Sequence, residues 1–598
     1  MMNRFNRALT LAFALLLLPA ALRAAPSGGP YGPIAQDWPL PQTAGTIYYV
    51  APDGAADAAG TDLATPTTLS AAIERVVSGD AIVLRGGTYR TGDLQLNQGI
   101  TLQPYRDEQP VLKGTKVVTE DQVYEQRNGL FRVKWETLFP LPPQPWWRRE
   151  SVGAETPLWL FNNDMVFVDG RPLKTVGWEG DVDADSFSVD YVNGHIYLAV
   201  DPREHEVEIT AWDNAITRVT GEAHGKADDK LGPKIYGLTF TQYAYRAIEI
   251  MGHDPEGISA EADHGNDVIG TTLEHCTITH CSRVAGYFRG DNMVFRHNLI
   301  SDTSTEGIFI LASDDTLLER NVFRRNNVEG IQGYFPSAVK IFNQTRRVVV
   351  RDNLLYDNPG SNGIWYDVGN VDGVFVDNWL MDGYNGFFFE ISKGVTVAGN
   401  VFVRSGAWVL NSSDAKIYNN TFVNSILRIT RTERSAEGDH FDWHPASGPD
   451  VDERVGHVVR NNLFYTDGRL AEEHTIVSVD QTKAVVDRVQ DQPASFDYNV
   501  YVRSPAGPAD LITWAYVPTE TGTKTYASLA ALQSEVDAVE PHGVELRDYA
   551  GPLFPSVELL RFEVDPAFPA ARAAGPIPAE IAELIGRDPA AGGTVGAY

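Results

Sequence analysis

Two short segments of the chain carry carboxylates at matched positions. Gly363–Asp367 reads GIWYD and Gly386–Glu390 reads GFFFE, so each glycine is followed four residues later by an acid, and the acids are 23 residues apart. Alternation along a strand puts Ile364, Tyr366, Phe387 and Phe389 on one face, and Trp365, Asp367, Phe388 and Glu390 on the other. If 23 residues make one rung of a stacked parallel coil, the acids lie on adjacent strands about 4.7–4.9 Å apart, with carboxylates roughly 5–6 Å from each other. A pair about 5–5.5 Å apart is the arrangement of retaining glycoside cleavage, in which one acid attacks the anomeric carbon and the other protonates the leaving oxygen. An inverting pair needs about 6.5–9.5 Å to admit a water. Two carboxylates this close do not ionise together easily, which keeps one of them available as a proton donor.

Other residues fall in with the pair. Trp365 and Phe388, with Phe309, share the outer face and make a candidate apolar wall for a sugar ring. Lys340, in AVKIF, lies one rung before Asp367, where it can pair with that acid or bond a sugar hydroxyl. Asp357 with Asp382, and Asp352 with Asp377, are also one rung apart, but they sit in or beside polar turns where Asp is common, and they lack aromatic company.

The elements that must position these residues are legible as a repeat. From Ile235 onward an asparagine followed by two further strand residues recurs at Asn298, Asn321, Asn353, Asn378, Asn400, Asn420 and Asn462, with Cys276 in the same place one unit earlier. The usual period of about 20–25 residues with short strands is that of a solenoid. The units are rich in Val, Ile, Phe and Thr, break at Asn, Asp and Gly, and show no helical stripe, so the strands are β. The expectation is an all-β right-handed parallel β-helix, with an asparagine ladder in which each amide bonds those above and below. Two long intervals mark insertions, at Gly333–Ser337 and across Thr430–Gly456, of the sort that gather on one, often binding, face.

The N-terminal half supplies the accessories. Arg4 and Arg7 precede an apolar run from Ala8 to Leu18 and then small residues, which reads as a signal peptide over residues 1–24 and predicts export to the periplasm or beyond. Residues 25–115 read as an N-terminal cap and first rungs. Leu69, Ala72, Ile73, Val76 and Val77 make one face of a helix that covers the open end, stopped by Gly79 and Asp80. Residues 116–211 alternate like antiparallel strands, with turns at Asp169-Gly170 and Asn193-Gly194, and predict an inserted β-sandwich-like module. Its PPQPWWRRE segment presents Trp146 and Trp147, either to a neighbouring domain or to a sugar. Residues 212–598 form the main β-helix, closed at its far end by a helix over Pro578–Ile585 and a last short strand.

Composition bounds the partners. A formal net charge of -30 opposes nucleic acid and anionic membrane surfaces, and weighs against polyanionic glycans unless a local basic cleft overrides it. No later stretch is apolar enough to span a bilayer, so the mature chain is not expected to be an integral membrane protein. Cys276 and Cys281, beside His275 and His280, permit a disulfide or a metal, but two cysteines alone make no structural zinc site.

NGIWYD followed one rung later by FFFE resembles glycoside hydrolase family 120, the β-xylosidases, and the VFVDG…FSVD…IYLAV region is similar to that family's inserted β-sandwich. The resemblance implies that Asp367 is the nucleophile and Glu390 the acid/base. It also implies that His444, in the loop Thr432–Asp450, and Trp365 contact the substrate, an oligosaccharide of plant or algal type. Val368-Gly369-Asn370 and most of that loop depart from the family pattern. No cofactor is expected on this reading. A lyase or epimerase on the same fold would use Lys340, Arg283 or Arg289 on a uronate, with Ca²⁺ as its possible cofactor. A non-catalytic sugar-binding solenoid would use the aromatic column alone.

Overall fold

The computed structural model describes residues 28–140, 156–253, 264–332, 336–432, 454–470, 475–481, 492–514, 524–590 and 592–598. Three sheets of 13 strands each are built by the chain in turn. Leu317–Glu319 joins the first sheet, Val322–Asn326 the third and Ser337–Phe342 the second, and the next rung repeats the order. Every neighbouring pair in these sheets is parallel except Ile512–Trp514 with Thr525–Tyr526. This is the parallel β-helix that the repeat predicts. Inward side chains of all three sheets, among them Ile364, Tyr366, Phe375, Phe387 and Phe389, form one continuous buried core.

The ladder is present and longer than the motif count. Asn298 Nδ2 donates to Asn321 Oδ1, and the same bond links Asn321 to Asn353, then Asn378, Asn400, Asn420 and Asn462, at 2.9–3.0 Å throughout. Each Oδ1 also accepts the backbone N–H of the preceding ladder residue, beginning with Cys276. Just before each ladder position stands a residue in the left-handed region, such as His275 (φ 55°), Asp352 (54°) and Asn461 (61°). That single left-handed residue turns the chain from the first sheet to the third, and the amide behind it satisfies the buried turn. The ladder continues to Asn499 and ends on a carboxylate: Asn499 Nδ2 and the Tyr501 hydroxyl both donate to Glu540 Oε1 at 2.7 Å. Burial pushes Glu540 up to about 7, against the pull of those hydrogen bonds.

Both ends of the core are covered by short helices. Leu69–Arg75 starts at Thr68, whose side chain accepts the Ala71 N–H, and its Leu69, Ala72 and Ile73 enter the core. It ends sooner than expected: Val76 already has ψ 145°, and Val77 is exposed. At the far end Leu529–Gln533, capped by Ser528, places Leu529 and Leu532 in the core beside Val536 and Val539. The segment expected to close that end runs elsewhere. The helix Ala579–Leu584 sets Ile581 and Ala582 against Val376, Ala398 and Tyr418 on the outer side of the first sheet. Phe562 and Ala597 cover Trp379, Val401, Val403 and Val423 of the third, and the terminal GGTVGAY forms no strand among its described residues. Five residues make too short a run for an apolar stripe to stand out, which is why the true cap escaped the sequence reading.

Thr115–Thr210 holds a four-stranded and a five-stranded sheet around their own core, which includes Val133, Trp135, Val166, Phe187 and Ile209. Asp169 and Gly170 have φ 50° and 78°, as a two-residue hairpin turn requires. Fully buried Glu208 ties the insert to the first rungs through Arg90 at 2.5 Å and Lys113 at 2.7 Å. The expected signal peptide and Trp146 and Trp147 lie outside the described residues. Among the described residues no helix is long and apolar enough to cross a membrane.

Replacing Asn353 by Leu strands the N–H and Nδ2 of Asn321 and the carbonyl of Leu318. The expected loss is about 2–5 kcal/mol in chemical denaturation; a loss below about 0.5 kcal/mol would mean the ladder contributes little. Glu540 predicts a pH effect. Its folded-state value lies above the ordinary 4.5, so the folded protein binds that proton more tightly. The associated stability is full below about 4.5 and is lost as pH rises through about 7. Glu540→Gln is expected to flatten part of the fall in unfolding midpoint between pH 4.5 and 7, and an unchanged slope would show that Glu540 does not supply it.

Candidate active site

The second sheet carries the acids. Its strands Ser337–Phe342, Asn362–Asp367, Asn385–Glu390 and Gly406–Leu410 pair so that Phe342, Asp367, Glu390 and Leu410 form one outward column. Lys340, Trp365, Phe388 and Trp408 form the column beside it. Asp367 and Glu390 are therefore direct neighbours on adjacent strands, the placement their spacing predicts. Outward here does not mean wet: Asp367 is 6% exposed and Glu390 0%.

The turn after the acids is strained. Val368 (φ 53°) and Ile391 (φ 47°), the residues immediately following Asp367 and Glu390, are β-branched side chains in the left-handed region. That conformation costs an L-residue roughly 1–2 kcal/mol. Stacked hydrogen bonds hold it, Val368 N to Glu390 O at 3.1 Å and Ile391 N to Leu410 O at 3.1 Å. The rungs on either side use Asn343 and Asn411 at the same step, a residue type that adopts this conformation more readily.

Lys340 is engaged at both ends of its reach. Its Nζ lies 3.1 Å from Asp367 Oδ2 and 4.0 Å from the centre of the Trp365 ring. Asp367 Oδ1 is buried and has no hydrogen-bond partner among the described residues. One oxygen of this carboxylate is thus fixed by an ammonium while the other is unengaged. The aromatic wall differs from expectation. Lys340 stands between Phe309 and Trp365, and Phe309 stacks instead on Tyr287 at 4.5 Å. The wall extends the other way, with Trp365, Phe388 and Trp408 in a continuous stack with successive centroids 4.8 Å apart.

The structure adds Glu306, which the sequence reading passed over. It is buried, its carboxyl is pushed up to about 7 by burial, and the nearby charges of Arg283 and Lys340 pull it back. Its Oε2 has no hydrogen-bond partner among the described residues. A signal existed: Glu306 precedes Gly307 as Asn362 and Asn385 precede Gly363 and Gly386, so it occupies the polar start of the same strand in an earlier rung. Arg283 is buried beside Phe161 of the insert, its guanidinium 5.3 Å from that ring. Arg289 pairs in register with Leu311, three strands before Asp367 in the acid column. His444 lies outside the described residues. Asp352 and Asp382 occupy left-handed turns, where Arg320 and Arg404 pair with them. Cys276 and Cys281 are free and buried, with thiols pushed up to about 12 by burial. Among the described residues no three His, Cys, Asp or Glu side chains are grouped to hold a metal ion.

A family model described as the right-handed beta helix region matches residues 256–422, the stretch that contains both acids. No curated protein sequence matches the chain. Among solved structures, the complex of XylC with xylose matches with TM-score 0.54 and 14% identity over 78% of this chain and 86% of that one. The A-module of mannuronan C-5 epimerase AlgE6 from Azotobacter vinelandii matches with TM-score 0.43 and 12% identity, over 83% of this chain and 99% of that one. A glycoside hydrolase matches with TM-score 0.38 and 12% identity, over 78% and 96%. At such identity the likeness is one of fold: this chain carries a right-handed parallel β-helix, an architecture it shares with carbohydrate-active proteins.

Proposed function

We propose that the chain is an exported retaining glycoside hydrolase acting on β-xyloside-type oligosaccharides. The observation that carries this reading is the buried, in-register pair of Asp367 and Glu390 beside a three-ring aromatic stack. Asp367 is the nucleophile. Lys340 holds its Oδ2, and the unengaged Oδ1 attacks the anomeric carbon. As the carbon–oxygen bond to the leaving sugar breaks, Glu390 gives that oxygen a proton. Glu390 then takes a proton from water, whose oxygen displaces Asp367 and restores the original configuration. Little water reaches either acid, so charge developing at the sugar is stabilised more strongly than it would be in solvent. The choice of xyloside is supported by the GIWYD and FFFE resemblance and by the fold likeness to XylC, a protein captured with xylose.

The test is a screen of aryl β-xylosides, α-arabinosides, α-fucosides and uronic polysaccharides, with each acid replaced in turn. Asp367→Asn and Glu390→Gln are each expected to lower kcat by at least about 10³-fold. Azide is expected to rescue Asp367→Ala as a glycosyl azide of inverted configuration. Full turnover in both acid variants would overturn the assignment. Products that absorb in the ultraviolet as unsaturated uronates would replace it with a lyase reading.

A further inference from the structure

Next to the aromatic stack the structure holds a cavity of about 240 Å³ with a distinct chemistry. It is lined by Tyr384, Asn385, Arg404, Asn424, Arg428 and Arg469, together with small and apolar residues. Three arginines face it and no carboxylate among the described residues lines it, in a chain whose formal net charge is -30. The guanidinium groups are not equivalent. Asp382 binds the Nε–Nη2 edge of Arg404 at 2.6 and 2.9 Å, and Asp467 binds the same edge of Arg469. Among the described residues each of these arginines keeps its Nη1 edge for another acceptor. Arg428 has no carboxylate within ion-pair distance among the described residues. Asp480, the acid that feels its charge, is half-buried and held by hydrogen bonds from Ser478 and Thr430. Among the described residues Asn424 Nδ2 is a buried donor that meets no acceptor other than the Asp467 carboxylate, and its Oδ1 is already taken by the Asp467 N–H. Among the described residues the cavity thus presents donors and positive charge and no carboxylate of its own.

Its position ties it to the sugar wall. Arg428 pairs in register with Trp408, which pairs with Phe388, so Arg428 continues the column of Trp365, Phe388 and Trp408 by one strand. It lies two strand spacings, roughly 10 Å, beyond Phe388. The guanidinium stands 6.0 Å from the Trp408 ring centre, and the Trp408 Nε1–H is turned to Thr430 Oγ1 at 3.0 Å. A glycan lying across the outer edges of the three rings would therefore run toward the arginines.

We propose that this cavity is a subsite for an anionic substituent on the bound glycan, a uronate carboxylate or a sulfate ester, read by Arg428 with Asn424 and the free edges of Arg404 and Arg469. The proposal rests on the sugar-binding reading of the aromatic stack, and it makes the substrate an acid-bearing oligosaccharide. Guanidinium groups bind carboxylate and sulfate through the same forked donors, so the two anions share this chemistry.

Binding is measured calorimetrically in the Asp367→Asn protein, so that turnover plays no part. The probes are xylopentaose, xylotetraose bearing one glucuronate, and xylotetraose bearing one sulfate ester. At least one anionic probe is expected to bind about tenfold or more tightly than xylopentaose, with an advantage that shrinks as salt is raised. Which probe gains identifies the anion. Arg428→Gln is expected to bring that probe to within about twofold of xylopentaose, and Arg469→Gln, at an exposed position, to remove part of the advantage. Equal binding of charged and neutral probes, or an equal loss of both in Arg428→Gln, would overturn the subsite. If no xylose-based probe binds, trigalacturonate separates the two questions. Binding of it that depends on Arg428 keeps the subsite and removes the xyloside reading, and no binding overturns the subsite.

Discussion

The asparagine ladder is the constraint from which the rest of this structure follows. A left-handed turn between two sheets leaves a buried backbone N–H at every rung, and one amide side chain per rung satisfies it while bonding the next. That bond works only when the two rungs are in register, so it fixes where each strand sits over the one before. A slip of one residue would turn a whole strand inside out. The pairing of Asp367 with Glu390 is thus set by Asn353, Asn378 and Asn400 across the core, together with the Asn370–Ser392 hydrogen bonds just beyond the acids.

The same constraint explains what the sequence made legible. A ladder residue must recur, so its period is written in the chain, and the period plus strand alternation is enough to place Asp367 over Glu390 and Trp365 over Phe388. Features set by contacts remote in sequence leave no period. The return of the C-terminal segment along the outside, for example, depends on Phe562 meeting Trp379. Glu306 and Glu540 are intermediate cases. Each stands at a repeat position, strand start or ladder step, but as a residue type that the repeat does not otherwise use.

Site and scaffold also divide the polar burden differently. Along the ladder, each amide is paired above and below, and the arrangement is as close to satisfied as a buried polar row can be. At the acids the satisfaction is incomplete: Asp367 Oδ1 has no partner among the described residues, and the turn beside the pair puts Val368 and Ile391 in conformations that suit neither. Unsatisfied atoms and backbone strain are tolerated where the surrounding rungs over-determine the structure. Here it is the ladder amides running through these same rungs that are satisfied.

Placing both acids on consecutive rungs of a repeating coil bears on how such a protein can change over generations. Each rung meets mainly its two neighbours, so duplication or loss of a rung near either end would lengthen or shorten the coil without altering the local surroundings of Asp367 and Glu390. The one interval closed to that kind of change is the stretch from 367 to 390, where an added rung would move the acids a further strand spacing apart, to roughly 10 Å. The coil is therefore free to vary in length, and with it in the reach of its groove, while the unit of inheritance for the chemistry stays a single pair of adjoining rungs.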